Sequence, residues 1–77
     1  MIKLKDILAI ASANTFRIKN LDTNKIVWKG SKSDEGYEEM EREYAEHYVV
    51  AMIARGAGRA NYGGNAILTI EVQWAWT

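Results

Sequence analysis

The chain has no cysteine, no proline and a single histidine, His47. Without cysteine there is no disulfide framework and no thiolate metal site, so the staples on which very small domains usually depend are missing. Without proline there is no kinked helix or cis turn to accommodate. No run approaches the roughly 20 apolar residues that a membrane-spanning helix needs. The opening MIKLKDILAIAS is too short and too charged for the apolar region of a secretory leader. These absences lead us to expect a soluble, cytoplasmic protein without a membrane segment, held together by side-chain packing alone.

What is present suits that expectation. Apolar residues make up 48% and charged residues 26% of the 77, which is the balance of a folded domain and not of a disordered chain. A chain this short buries only about 60–65% of its unfolded surface, so we expect one domain with a thin core. Aromatic bulk has to fill it, and Phe16, Trp28, Tyr37, Tyr44, Tyr48, Trp74 and Trp76 are the candidates.

Formal net charge is zero, but it is unevenly spread. Residues 1–33 hold seven Lys and Arg against two Asp, whereas residues 34–46 hold seven Asp and Glu against Arg42 alone. Such asymmetry means either internal pairing or a field that steers a charged partner.

Leu4, Ile7, Leu8 and Ala11 recur at helical spacing and predict a helix over about residues 3–11. Thr15 to Asn20 alternates, with Phe16 and Ile18 on one side and Arg17 and Lys19 on the other, as a half-buried strand does. Asp22 and Asn24 supply turn chemistry, and Lys25 to Gly30 returns as a second strand with Ile26 and Trp28 inward. Ser31 and Ser33 offer capping oxygens and Asp34 and Glu35 first-turn acids for a second helix. Its stripe is Tyr37, Met40 and Tyr44, with Gly36 weakening the start and a minor Glu38–Arg42 pair on the surface. Tyr48 to Ala54 is apolar on both faces and reads as the central strand. A glycine-dense loop spans Gly56 to Gly64, and Ala66 to Trp76 forms a last strand carrying Leu68, Ile70, Val72, Trp74 and Trp76 on one face. The expected fold class is α+β, in the order αββαββ, with a four-stranded, mainly antiparallel sheet and both helices on one face.

The opening Lys3-Leu4-Lys5-Asp6-Ile7-Leu8, the hairpin return Ile26-Val27-Trp28-Lys29-Gly30 and the stretches Glu46 to Val50 and Ile67 to Val72 resemble a group of small proteins encoded by phages, prophages and mobile elements of Gram-positive bacteria. The resemblance implies a viral or mobile-element origin and brings no catalytic residues with it. The chain departs from that group in its longer glycine loop and in the tail Gln73-Trp74-Ala75-Trp76-Thr77.

No nucleophile, base or ligand set stands out, so no enzyme activity, metal or cofactor is expected. His47 reads as a capping or packing residue, because no serine or carboxylate is specified beside it. Candidate partner-binding residues are Arg55, Arg59, Asn61 and Tyr62 around the glycine loop, and Trp74 and Trp76 in the tail, where two aromatics on one side of a strand are either core or an exposed interface. The loop matches neither phosphate-binding fingerprint. The leading reading is a protein-binding module, acting on a partner protein or as a homodimer paired through an edge strand; its acidic helix would suit competition for a nucleic-acid groove, as in an inhibitor of a host nuclease. The alternative is a nucleic-acid binder that uses the basic outer face of the first hairpin, Arg17, Lys19, Lys25 and Lys29.

Overall fold

The computed structural model describes residues 2–11, 13, 15–55 and 67–74. The elements are α1 (Leu4–Ile10), β1 (Thr15–Asn20), β2 (Lys25–Gly30), α2 (Tyr37–Tyr44), β3 (Tyr48–Arg55) and β4 (Ile67–Gln73). They form the expected αββαββ order and one four-stranded sheet, with strands arranged β2-β1-β4-β3. The hairpins β1–β2 and β3–β4 are antiparallel, and they join through a parallel ladder that runs from Thr15↔Ile67 to Asn20↔Val72.

Alternation along the strands decides what the helices cover. Phe16 and Ile18 of β1 and Ile70 and Val72 of β4 are fully buried, and they meet Leu4, Ile7 and Leu8 of α1 and Tyr37 and Met40 of α2 in one core. The intervening residues, Arg17, Lys19, Thr69 and Glu71, form the uncovered face.

The helices are short, and their ends are satisfied by long-range partners. The first amides of a helix have no partner within it. In α1 the amides of Leu4 and Lys5 donate to the carbonyls of His47 and Ala45, just past the end of α2, at 2.9 and 3.1 Å. The unpaired donors of one helix thus meet carbonyls at the end of the other. At the far end of α1, Lys32 Nζ donates to the carbonyls of Leu8 and Ala11, both at 2.7 Å, which places a cation where the helix dipole favours one.

Several local expectations are corrected. Serine oxygens do not cap α2; its N-cap is Gly36, at φ 88, and the helix starts only at Tyr37. The Asp34 carboxylate instead accepts the Ser31 amide at 2.8 Å and closes the preceding turn. A Cβ at Gly30 would lie 2.7 Å from Asp34 Oδ2 and 2.9 Å from the Trp28 ring, so any larger residue there has to displace one of these side chains. A bulge between Ile18 and Lys19 places Ile26 opposite Lys19, so Ile26 is on the uncovered face instead of inward, while Trp28 stays inward and meets Tyr37 edge-on at 5.7 Å. The Asx turn at the tip forms as expected: the Asn20 side chain accepts the Asp22 amide at 2.8 Å, and Asn24 adopts φ 58.

The largest correction concerns β3, which is an edge strand and not the central one. Its apolar character on both faces was the signal of a strand flanked on both sides, but β4 and β1 hold the centre. The last strand ends at Gln73, and Trp74 beyond it is 59% exposed.

Candidate protein-binding surfaces

Among the described residues, internal pairing does not cancel the charge asymmetry of the sequence. Among the described residues the ion pairs are Lys3–Glu46 at 2.7 Å and Lys5–Glu46 at 2.9 Å, so two cations share one carboxylate. Their hydrogen bonds hold the Glu46 carboxyl down to about 2, and the same contact raises the Lys3 pKa. The Glu38–Arg42 pair expected on α2 does not form. Glu35, Glu38, Glu39 and Glu43 stand exposed without an ion pair among the described residues.

Beside them a groove of about 450 Å³ runs between α2 and the edge strand β2. Val27, Trp28, Met40 and Tyr44 supply its apolar and aromatic walls, and Glu39 and Glu43 stand on its rim. Burial first, and the Glu43 charge second, push the Tyr44 phenol up. A second, more polar concavity of about 610 Å³ lies where the chain enters α2, around Lys32, Asp34, Glu35, Glu38 and Arg42. An open groove with apolar walls on one side and carboxylates on its rim has room for a side chain that is aliphatic for most of its length and cationic at its tip.

The uncovered face has the opposite sign. Register places Arg17 opposite Lys29 and beside Thr69, and Lys19 beside Glu71. None of these three cations has an ion pair among the described residues. Lys25 does not join them: it pairs with Asn20, on the far side of the bulge and of the opposite alternation. Three of the four expected basic residues therefore share a face.

His47 is 9% exposed, with its ring between Tyr44 at 4.8 Å and Trp74 at 5.1 Å, and its Nδ1 has no hydrogen-bond partner among the described residues. Burial lowers its pKa against the opposing influence of Asp22 and Glu43. The imidazole packs between two aromatic rings. Trp74 closes over it, held by its own amide to Asp22 Oδ2 at 2.8 Å. Among the described residues no three His, Asp or Glu side chains gather as a metal site, and no helix is long and apolar enough to cross a membrane.

Of the candidate partner residues, Trp74 lies beyond the end of β4 and is exposed. Arg59, Asn61, Tyr62, Trp76 and the side chain of Arg55 lie outside the described residues. The groove residues escaped the sequence reading because Trp28, Met40 and Tyr44 carry the spacing of core and the acids that of a solvated helix face. The narrowness of the Tyr37-Met40-Tyr44 stripe was the available signal, since a stripe that narrow leaves its borders half covered. No family model matches the chain, and neither does any curated protein or solved structure.

Proposed function

We propose that the chain is a non-enzymatic protein-binding module of phage or mobile-element type, which docks through the α2–β2 groove onto a basic segment of a host protein. The observation that carries this reading is the coincidence of the apolar and aromatic walls given by Val27, Trp28, Met40 and Tyr44 with the carboxylates of Glu39 and Glu43, which have no ion pair among the described residues. A lysine or arginine stem packs on aromatic faces while its head meets carboxylate, and that recognition needs no reacting group. A helix that presents the carboxylates of Glu38, Glu39 and Glu43, with Glu35 in the turn before it, also imitates a run of phosphates. The natural target is therefore a protein groove that otherwise holds nucleic acid, and the module acts by occupying it.

The test is a titration of 15N-labelled protein with a synthetic peptide of alternating arginine and leucine, with a glutamate–leucine peptide as control. The basic peptide shifts the Val27 and Met40 amides and the Trp28 indole, and the double substitution E39Q/E43Q weakens binding at least about tenfold, a loss within reach of one charge-assisted hydrogen bond. Unshifted groove resonances, or equal binding by the double variant, overturn the reading.

A second reading rests on the basic face, where Arg17, Lys19 and Lys29 stand together without ion pairs among the described residues. Binding of random DNA that falls steeply with salt, and that is lost in R17A/K29A, would favour a nucleic-acid binder and reject the protein-partner reading in its simple form.

A further inference from the structure

The two edges of the sheet are built differently. At the β2 edge, Lys25 and Lys29 are exposed charges of the kind that deters strand addition. At the β3 edge there is no charged side chain from Tyr48 through Ala54. Ile2, Val50, Met52 and Ile53 keep 54, 43, 49 and 40% of their surface exposed along it, more than a folded chain usually leaves on neighbouring large apolar residues. Part of this edge is occupied by the chain itself. The Val49 amide donates to the Ile2 carbonyl at 2.8 Å, and Lys3 bridges antiparallel to Tyr48. Among the described residues no strand lies beside the remainder, from Val50 onward.

We propose that this remainder is the interface of a homodimer, in which the β3 strands of two copies pair antiparallel across a two-fold axis and the sheet continues from one copy into the other. The strand is self-complementary. With the axis at Met52, that residue faces its own copy, Ala51 faces Ile53 and Val50 faces Ala54, so every cross-strand pair is apolar and no like charges oppose. Ala51 and Ile53 share one alternation and Met52 lies on the other, so these central pairs keep the helices of both copies on one side of the extended sheet; Val50 is the bulged residue of β3, where the regular pairing ends. Pairing stops on either side where the Ile2–Val49 bond already fills the edge. A net charge of zero adds no repulsion between copies, and it favours a second copy over a charged partner at this edge. The acidic groove lies at the opposite edge, so the dimer presents two such grooves facing outward.

Sedimentation equilibrium over a wide concentration range, at low and high salt, tests this with M52K and I53K. Their substitutions lie on opposite faces of the strand at half-exposed positions, so the pair distinguishes lost association from a damaged fold, which far-UV circular dichroism reports. The wild type reaches twice the chain mass at both salt levels. Each lysine variant keeps its fold and weakens association by more than about tenfold, because the two-fold counts the new charge twice. K29S, on the other edge, behaves as wild type. A wild type that stays monomeric throughout, a dimer that survives both lysine variants, or one that dissolves in high salt as charge pairing between the acidic and basic faces would, overturns the proposal.

Discussion

The covered and uncovered faces of the sheet are drawn from alternate residues of the same strands, yet they handle charge in opposite ways. On the helical side three lysines are tied into the structure, since Lys3 and Lys5 hold Glu46 and Lys32 closes the carbonyl end of α1. The helical side is left with exposed carboxylates that have no ion pair among the described residues. On the uncovered face Arg17, Lys19 and Lys29 form no ion pair among the described residues. A lopsided sequence has therefore become a molecule with an acidic side and a basic side, because its lysines near the helices are consumed by helix ends. Polarity of this kind orients an encounter before contact and sharpens the choice of partner.

The contrast breaks most visibly in stability. Phe16→Ala, on the covered face, costs about 3–5 kcal/mol, enough to unfold much of a domain this small, whereas Thr69→Ala on the other face changes stability by less than about 0.5 kcal/mol. Urea denaturation of the two variants measures the difference, and equal losses would mean that both faces are buried in solution.

A smaller effect follows acidification. The ordinary histidine takes its proton at 6.5, and burial holds the His47 value below that, so the unfolded chain protonates first. Stability contributed by the neutral ring is complete above 6.5 and is lost as the pH falls through the lower folded value. In His47→Phe, which keeps an aromatic ring between Tyr44 and Trp74, this slope disappears from thermal melts recorded as a function of pH. A separate loss remains between 4.5 and about 2, where Glu46 takes up its proton. Persistence of the upper slope in His47→Phe would assign it to another group.

The smallest change sharpens the comparison from the basic side. Arg17 and Lys29 face each other across the β1–β2 ladder, and like charges in that position are destabilising. Lys29→Glu converts the repulsion into attraction and stabilises the fold by about 0.2–1 kcal/mol in low salt, an effect that fades as salt screens it. No gain at low salt would show that the two side chains avoid each other.

Much of this fold was legible from periodicity. Leu4, Ile7 and Leu8 marked α1, the alternation of Phe16 and Ile18 marked β1, and Asp22 and Asn24 marked the turn, because each signal depends only on near neighbours. What depends on distant partners was not legible. Tyr48 to Ala54 looks central by composition, but whether a strand is central depends on which others pair with it. A single bulge in the β1–β2 ladder was enough to turn Ile26 to the uncovered face, and nothing near Lys32 announces that it serves the end of α1. The groove was hidden for the same reason: its walls come from β2 and α2, and each half alone resembles ordinary core edge or ordinary solvated helix.

The parallel ladder between β1 and β4 has a consequence in time. Each hairpin can zip up from its own local contacts, but an isolated hairpin is only marginally stable in water. The middle of the sheet closes when residues 15–20 find residues 67–72, a meeting across most of the chain. Contacts so distant in sequence slow a two-state folder, because the intervening chain must be ordered before they reward it. During synthesis the first hairpin thus waits, half built and with Phe16 and Ile18 uncovered, until the second arrives to shelter it.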